Sequence, residues 1–303
     1  MPALLKTYLL TATAAIFWGA NFNLAKPVVA EMGPYIAGAS RYILAAAVML
    51  MIVQFRRERI PARHFKTYLT LGIIGVFGFN LFFFLGMQTT SAVNGALIMA
   101  LNPLFTAIIA YFVLNDKPNN RQMLAFPIGI IGVAIVVLGA GAELRVSTGD
   151  IFIFIANLNW ALYNVLVRKL MPKDVSGIAS TAGIMTVGAI ALTLAAIIHG
   201  DAFVMPSMHA GTALLIMSIC GGVLSYLFWN AGIAKLGPAK TAIFINLVPV
   251  TTIVIATFEG LPPNLAQMMG AVIVIGAVTY GMSANSTSSD KGMPESESAK
   301  NKN

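Results

Sequence analysis

The chain repeats itself at long range. Residues 86–139, from Gly86 through Asn102-Pro103 to Gly139, align with 232–283, from Gly232 through Val248-Pro249 to about Ser283. The earlier stretch at Trp18-Gly19-Ala20 aligns with Trp160-Ala161-Leu162. Each copy holds five apolar runs, and five is odd. A second copy threaded through a bilayer therefore enters from the side opposite the first. Two oppositely inserted copies of one bundle, meeting near the midplane, form the architecture on which secondary transporters are built.

Lipid is the expected solvent. Hydrophobic residues make up 58% of the 303 and charged residues only 10%, against roughly 45–50% and about 25% in soluble domains. The apolar runs reach the roughly 20 residues that cross a hydrocarbon core. Ten spans are expected, at about 7–25, 35–54, 66–86, 91–114, 121–140, 150–168, 178–198, 211–231, 239–258 and 266–284. The first run continues past the cleavage-like Ala12-Thr13-Ala14 to Ala25, which reads as an uncleaved helix. The fold class is all-α integral membrane: residues 1–140 as one five-helix repeat, 146–284 as its inverted partner, 285–303 as a disordered cytoplasmic tail.

Basic residues set the orientation. With the N-terminus cytoplasmic, sixteen of the 19 lysines and arginines fall on that side, among them Lys6, the Arg56–Lys66 group, Lys117, Arg121 and Arg168. Lys26 and Arg145 fall on the other, and Arg41 lies inside a span. That bias places both termini in the cytoplasm. The net charge of +8 is thus a topology signal, not a nucleic-acid footprint. One cysteine, Cys220, excludes an internal disulfide.

Candidate site residues cluster on the spans. In the first and sixth, Trp18 and Asn21 recur at helical spacing with Thr11, and Asn157, Trp160 and Asn164 with Ile153, Tyr163 lying beside them. Such faces either line a cavity or pack helices together. The third span carries Phe77, Asn80 and Phe84 on one face with Phe79 and Phe83 beside it; its partner, the eighth, carries Tyr226 and Trp229. In the fourth and ninth, Pro103 (after Asn102) and Pro249 stand 146 residues apart, and each should free the carbonyl four residues earlier, those of Met99 and Ile245. Arg41 is costly at membrane depth, about 2.5–3.5 kcal/mol on insertion scales, and needs a partner or a task. It could grip a substrate carboxylate, snorkel outward, or pair with Glu31 or Glu259.

Trp18-Gly19, Arg41-Tyr42 and Asn102-Pro103 followed by Asp116, echoed by Trp160, Pro249 and Glu259, resemble the EamA-type pattern of the drug/metabolite transporter superfamily. Within it the chain looks most like the bacterial aromatic amino-acid exporters. The second copy departs from the first at Gly183, where Arg41 would recur. The resemblance implies a carrier that exports aromatic and other apolar amino acids by alternating access. Efflux of lipophilic drugs is the nearest alternative, and sugar-phosphate exchange a further one, with Lys240 the residue that could hold a phosphate.

The acidic residues and three histidines fall in loops, at span ends or in the tail. A proton relay within the membrane is thus not visible, which points to facilitative or weakly coupled transport. No paired carboxylates, histidine couple or metal cluster suggests an intramembrane enzyme, so neither cofactor nor metal is expected. The partners are a small-molecule substrate and the bilayer, with no nucleic acid; Gly- and Ala-rich faces permit a monomer or a weak homodimer.

Overall fold

A computed structural model describes residues 2–139 and 146–282. The 285–303 tail and Arg145 lie outside them. Among the described residues, helical segments run in order: α1 (Pro2–Met32), α2 (Pro34–Phe55), α3 (Ala62–Thr89), α4 (Ala92–Leu114) and α5 (Asn120–Leu138), then α6 (Thr148–Leu170), α7 (Gly177–His199), α8 (Met208–Leu236), α9 (Lys240–Phe258) and α10 (Leu265–Met282). Among the described residues there is no strand.

Seven of these helices, α2, α3, α4, α6, α7, α8 and α9, are long and apolar enough to cross a membrane. The apolar stretches of α5 and α10, Asn120–Val136 and Leu265–Gly281, are shorter. Helix α1 has 31 residues, a length of about 46 Å at 1.5 Å per residue. It carries Lys6, Asn21, Asn23, Lys26 and Glu31.

The packing pattern is symmetric. Helix α2 packs on α7 and α5 on α10; α3 packs on α6 as α8 does on α1; α4 packs on α6 as α9 does on α1. Advancing every label by five, cyclically, returns the same set of pairs. Gly86 and Gly232, at matching places in α3 and α8, show why the chain needs small residues here. A Cβ at Gly86 would press on Ile153 of α6 at 2.7 Å, and one at Gly232 on the Thr11 hydroxyl of α1 at 2.6 Å. Both crossings are too close for a side chain. Helices α5 and α10 also open alike: Asn119 and Gln122 cap each other's backbone N–H, as do Asn264 and Gln267.

Two pairs of helices are irregular at corresponding points. Helices α3 and α8 widen into π-helix over Gly72–Gly78 and Met217–Leu224, single widened stretches of the kind that gather at functional sites. Helix α4 breaks at Ala100-Leu101, and α9 tightens to 3-10 geometry over Ile243–Asn246. Both breaks precede the prolines. Pro103 thus sits in the first turn of the resumed helix, where its missing N–H costs no bond.

Next to Met99, Ile98 O accepts from Asn157 Nδ2 at 2.8 Å. The expectation of a free Ile245 carbonyl is corrected, because the Leu247 N–H donates to it.

Candidate functional site

An enclosed cavity lies where α1, α2, α3, α4, α6, α8 and α9 converge. Its volume is about 30 Å³, room for about one water molecule and far below the roughly 300 Å³ or more of a ligand pocket. In this conformation the chamber is contracted. Of the residues expected at a site, Trp18, Asn21, Arg41, Met99, Trp160, Tyr226 and Ile245 line it.

Aromatic rings make most of the wall. Trp18 meets Trp160 edge to face at 5.0 Å, Trp229 at 4.9 Å and Tyr226 at 6.0 Å between centroids. Trp160 stacks on Tyr163 at 4.9 Å and leans on Phe79 at 5.2 Å. Trp18 is anchored because its Nε1 donates to Gly221 O at 2.8 Å. Gly221 leaves room for Asn21: a Cβ there would press on the Asn21 side-chain amide, which would have to shift. The Trp160 N–H, by contrast, is buried with no hydrogen-bond partner.

Arg41 is 2% exposed. Its Nε donates to Met217 O at 3.3 Å and its Nη1 to Asn80 Oδ1 at 3.1 Å. The guanidinium lies 5.3 Å from the Tyr42 ring centroid and 6.0 Å from that of Phe84. Among the described residues no carboxylate pairs with it. The expected alternatives of Glu31 and Glu259 are therefore corrected: Glu31 binds Ser207 instead. Asn80 does not line the cavity; it holds Arg41, and its own amide donates to Val76 O at 2.8 Å across the π-helical stretch. Two tyrosines continue the polar strip, with Tyr42 and Tyr226 hydroxyls 3.3 Å apart and Tyr226 Oη donating to Gly75 O at 2.8 Å.

Other expected site residues stand behind the wall. Asn102, Asn157 and Asn164 form a fully buried amide chain. Asn102 Nδ2 donates to Asn157 Oδ1 at 2.7 Å, Asn164 Nδ2 to Asn102 Oδ1 at 3.1 Å, and Trp229 Nε1 to Asn164 Oδ1 at 2.9 Å. Those groups join α4, α6 and α8, and their polar atoms are spent on one another. Tyr163 likewise donates to Asn230 Oδ1 at 3.1 Å. Phe77, Phe84, Pro103, Pro249, Tyr163 and Trp229 do not line the cavity.

Phe79 and Phe83 face the chamber, not Phe77 and Phe84. Phe77 lies within the π-helical stretch, whose turns take more residues than an α-turn, so counting by 3.6 from it misplaces its face relative to the regular helix beyond. Phe84 lies in that regular helix, on the neighbouring face with Asn80 and beside Arg41. Phe22, Tyr42 and Val248 also line the cavity, although nothing in their spacing marked them as site residues. Their adjacency to Asn21, Arg41 and Pro249 was the signal that could have found them.

Both ends of the bundle are tied between the first five helices and the last five. At one end, Ser176, which caps α7, donates to Glu58, while Arg63 and His64 pair with Asp174 at 2.5 and 3.1 Å. The Ser176 hydroxyl, then Arg56, holds the Glu58 carboxyl below the usual range. Arg63, then His64, brings Asp174 down to about 2. At the other end of α2 and α7, Ser207, which caps α8, donates through its N–H and hydroxyl to Glu31, both at 2.7 Å.

A chamber walled by both groups of helices, in a chain with seven helices long and apolar enough to cross a membrane, is an arrangement that membrane transporters use. The particular family is shown by sequence. Residues 5–138 and 147–280 each match the EamA-like transporter family, and the chain belongs to that family, within the drug/metabolite transporter superfamily. It is 41% identical to the uncharacterized transporter YyaM of Bacillus subtilis (strain 168) over 280 residues, covering 89% of this chain and 92% of that one. It is 21% identical to the S-adenosylmethionine/S-adenosylhomocysteine transporter of Chlamydia muridarum (strain MoPn / Nigg), covering 86% and 87%. A crystal structure of a protein 19% identical superposes with a TM-score of 0.68 over 91% of this chain and 96% of that chain. The family and these relatives are transporters, not enzymes.

Proposed function

We propose that the chain is a ten-crossing carrier that exports amino acids, aromatic and other apolar ones foremost, across the bacterial inner membrane by alternating access. Residues 1–140 and 146–284 are its two five-helix halves, inverted relative to each other, with both termini cytoplasmic. The cyclic pairing of helices and the doubled family match support the halves. The observation that carries the reading is the cavity itself: Trp18 and Trp160, at equivalent places in the two matched stretches, meet there. A chamber shared between two bundles changes shape whenever they rock.

The contracted chamber fits an occluded intermediate, with the Glu58–Ser176 and Glu31–Ser207 ties closing opposite faces. Arg41 is the charged residue in its lining, which supports transport driven by the substrate's own gradient. Lipophilic compounds are a second reading, because seven aromatic residues line the cavity and suit any flat apolar body. Sugar-phosphate exchange is less well supported: Lys240 lies with Lys117 and Arg168 in a separate pocket of about 310 Å³. The test is flux of labelled tryptophan in proteoliposomes. Trp18→Ala and Trp160→Ala should each lower it at least tenfold in protein that still inserts and folds. Unchanged flux in both contradicts the reading.

A further inference from the structure

The geometry points to a substrate that carries a carboxylate, its head held by Arg41 and Trp160 within the central cavity. This deepens the carrier reading and rests on it. A guanidinium offers five N–H donors and no acceptor, and Arg41 commits its Nε and one Nη1 donor to neutral oxygens. Its charge is buried without a carboxylate partner among the described residues. An uncompensated buried cation is unfavourable, and an anion brought beside it offsets that cost.

A second donor stands on the same wall. The Trp160 N–H is buried and unpartnered, on a side chain 2% exposed. The side chain of Asn21 also borders the cavity. An indole N–H can only donate, so what completes this chamber is an acceptor, and with Arg41 in the same lining an anionic one. Asn80 is a positioning residue, since it touches Arg41 and not the cavity. The rings of Trp18, Phe79 and Tyr226 then take a flat apolar body attached to that head. An amine without a carboxylate would place a second positive charge against Arg41.

Titration calorimetry on the purified full chain at pH 7, with tryptophan, indole-3-propionate and tryptamine, tests this. The expected result is a carboxylate ligand bound at least tenfold more tightly than tryptamine. Tryptamine binding equally or more tightly overturns the head-group assignment and leaves the carrier reading standing. Binding of none of the three overturns both. Trp160→Phe keeps an aromatic ring and removes the donor; it should weaken the carboxylates about tenfold while indole itself changes less than about twofold. Equal weakening of both ligands, or none, overturns the role of the Trp160 N–H.

Discussion

Trp18 and Trp160 touch edge to face, their ring centroids 5.0 Å apart. They come from α1 and α6, the opening helices of the two family-matched stretches. Trp18 is fixed by Gly221 O of α8, whereas Trp160 rests on Tyr163 of its own helix. Each indole comes from a different half of the chain, and the Trp18 N–H ties its ring to the half that carries Trp160.

The crossing of α3 and α6 depends on Gly149. A Cβ there would run into the backbone, at Gly86 O and Thr90 N. Neither atom can turn aside as a side chain would. Gly149→Ala should destabilise the protein by about 1–3 kcal/mol, read as a lowered thermal midpoint in detergent. Gly177→Ala, whose Cβ meets nothing within 4 Å, is the control and should leave the midpoint unchanged.

Asn102 is the hub of the buried amide chain. Besides Asn157 and Asn164 it serves Thr106, whose hydroxyl lies 3.2 Å from its Oδ1. Asn102→Leu leaves the Asn157 oxygen and the Asn164 amide without partners, each a loss of about 1–3 kcal/mol. Thermal unfolding should show it. A midpoint equal to that of the natural chain would mean that water replaces the missing amide.

The Glu58–Ser176 tie should have to break for one face to open. Joining Glu58→Cys and Ser176→Cys with a short thiol-cleavable crosslinker, in a Cys220→Ala background, should cut flux at least tenfold, and reduction should restore it. The Glu31→Cys and Ser207→Cys pair should behave alike at the other end. Full flux with either pair locked shows that the locked end does not open during transport.

The Asp174 cluster sets a pH limit on one end of the bundle. Its carboxyl, ordinarily near 3.8, titrates at about 2 because Arg63 and then His64 stabilise the anion. A depressed folded-state value means the stabilisation is complete above pH 3.8 and is lost as pH falls through about 2. The distance between spin labels at Arg59→Cys and Lys173→Cys should therefore stay constant from about pH 8 to about pH 5. It should broaden below about pH 3, and Asp174→Asn should broaden it at every pH.

Much of the helical frame was legible because the physics of lipid leaves few choices: runs of about 20 apolar residues become helices. The breaks before Pro103 and Pro249 could be placed to within a turn, since proline cannot continue the ladder of bonds. Trp18, Trp160 and Arg41 were legible as polar or bulky groups that lipid would not accept. What could not be read was register. Nothing in the Gly72–Gly78 sequence announces π-helix, which shifts Phe77 relative to the helix beyond. Nothing in the regular stretch after it says that Phe79 and Phe83, not Asn80 and Phe84, face the cavity. Partner choice among asparagines was equally hidden. Asn21 borders the cavity and Asn157 binds Asn102, yet both occupy the same kind of helical face.

The inverted relation of the two halves is the claim that supports all the others, and two equivalent loops test it. Lys117, between α4 and α5, and Leu261, between α9 and α10, are both exposed. With Lys117→Cys and Leu261→Cys placed separately in a Cys220→Ala background, a membrane-impermeant maleimide is applied to intact cells. Inverted halves require Leu261→Cys to label at once and Lys117→Cys only after the membrane is permeabilised. Labelling of both positions from the same side would contradict the account.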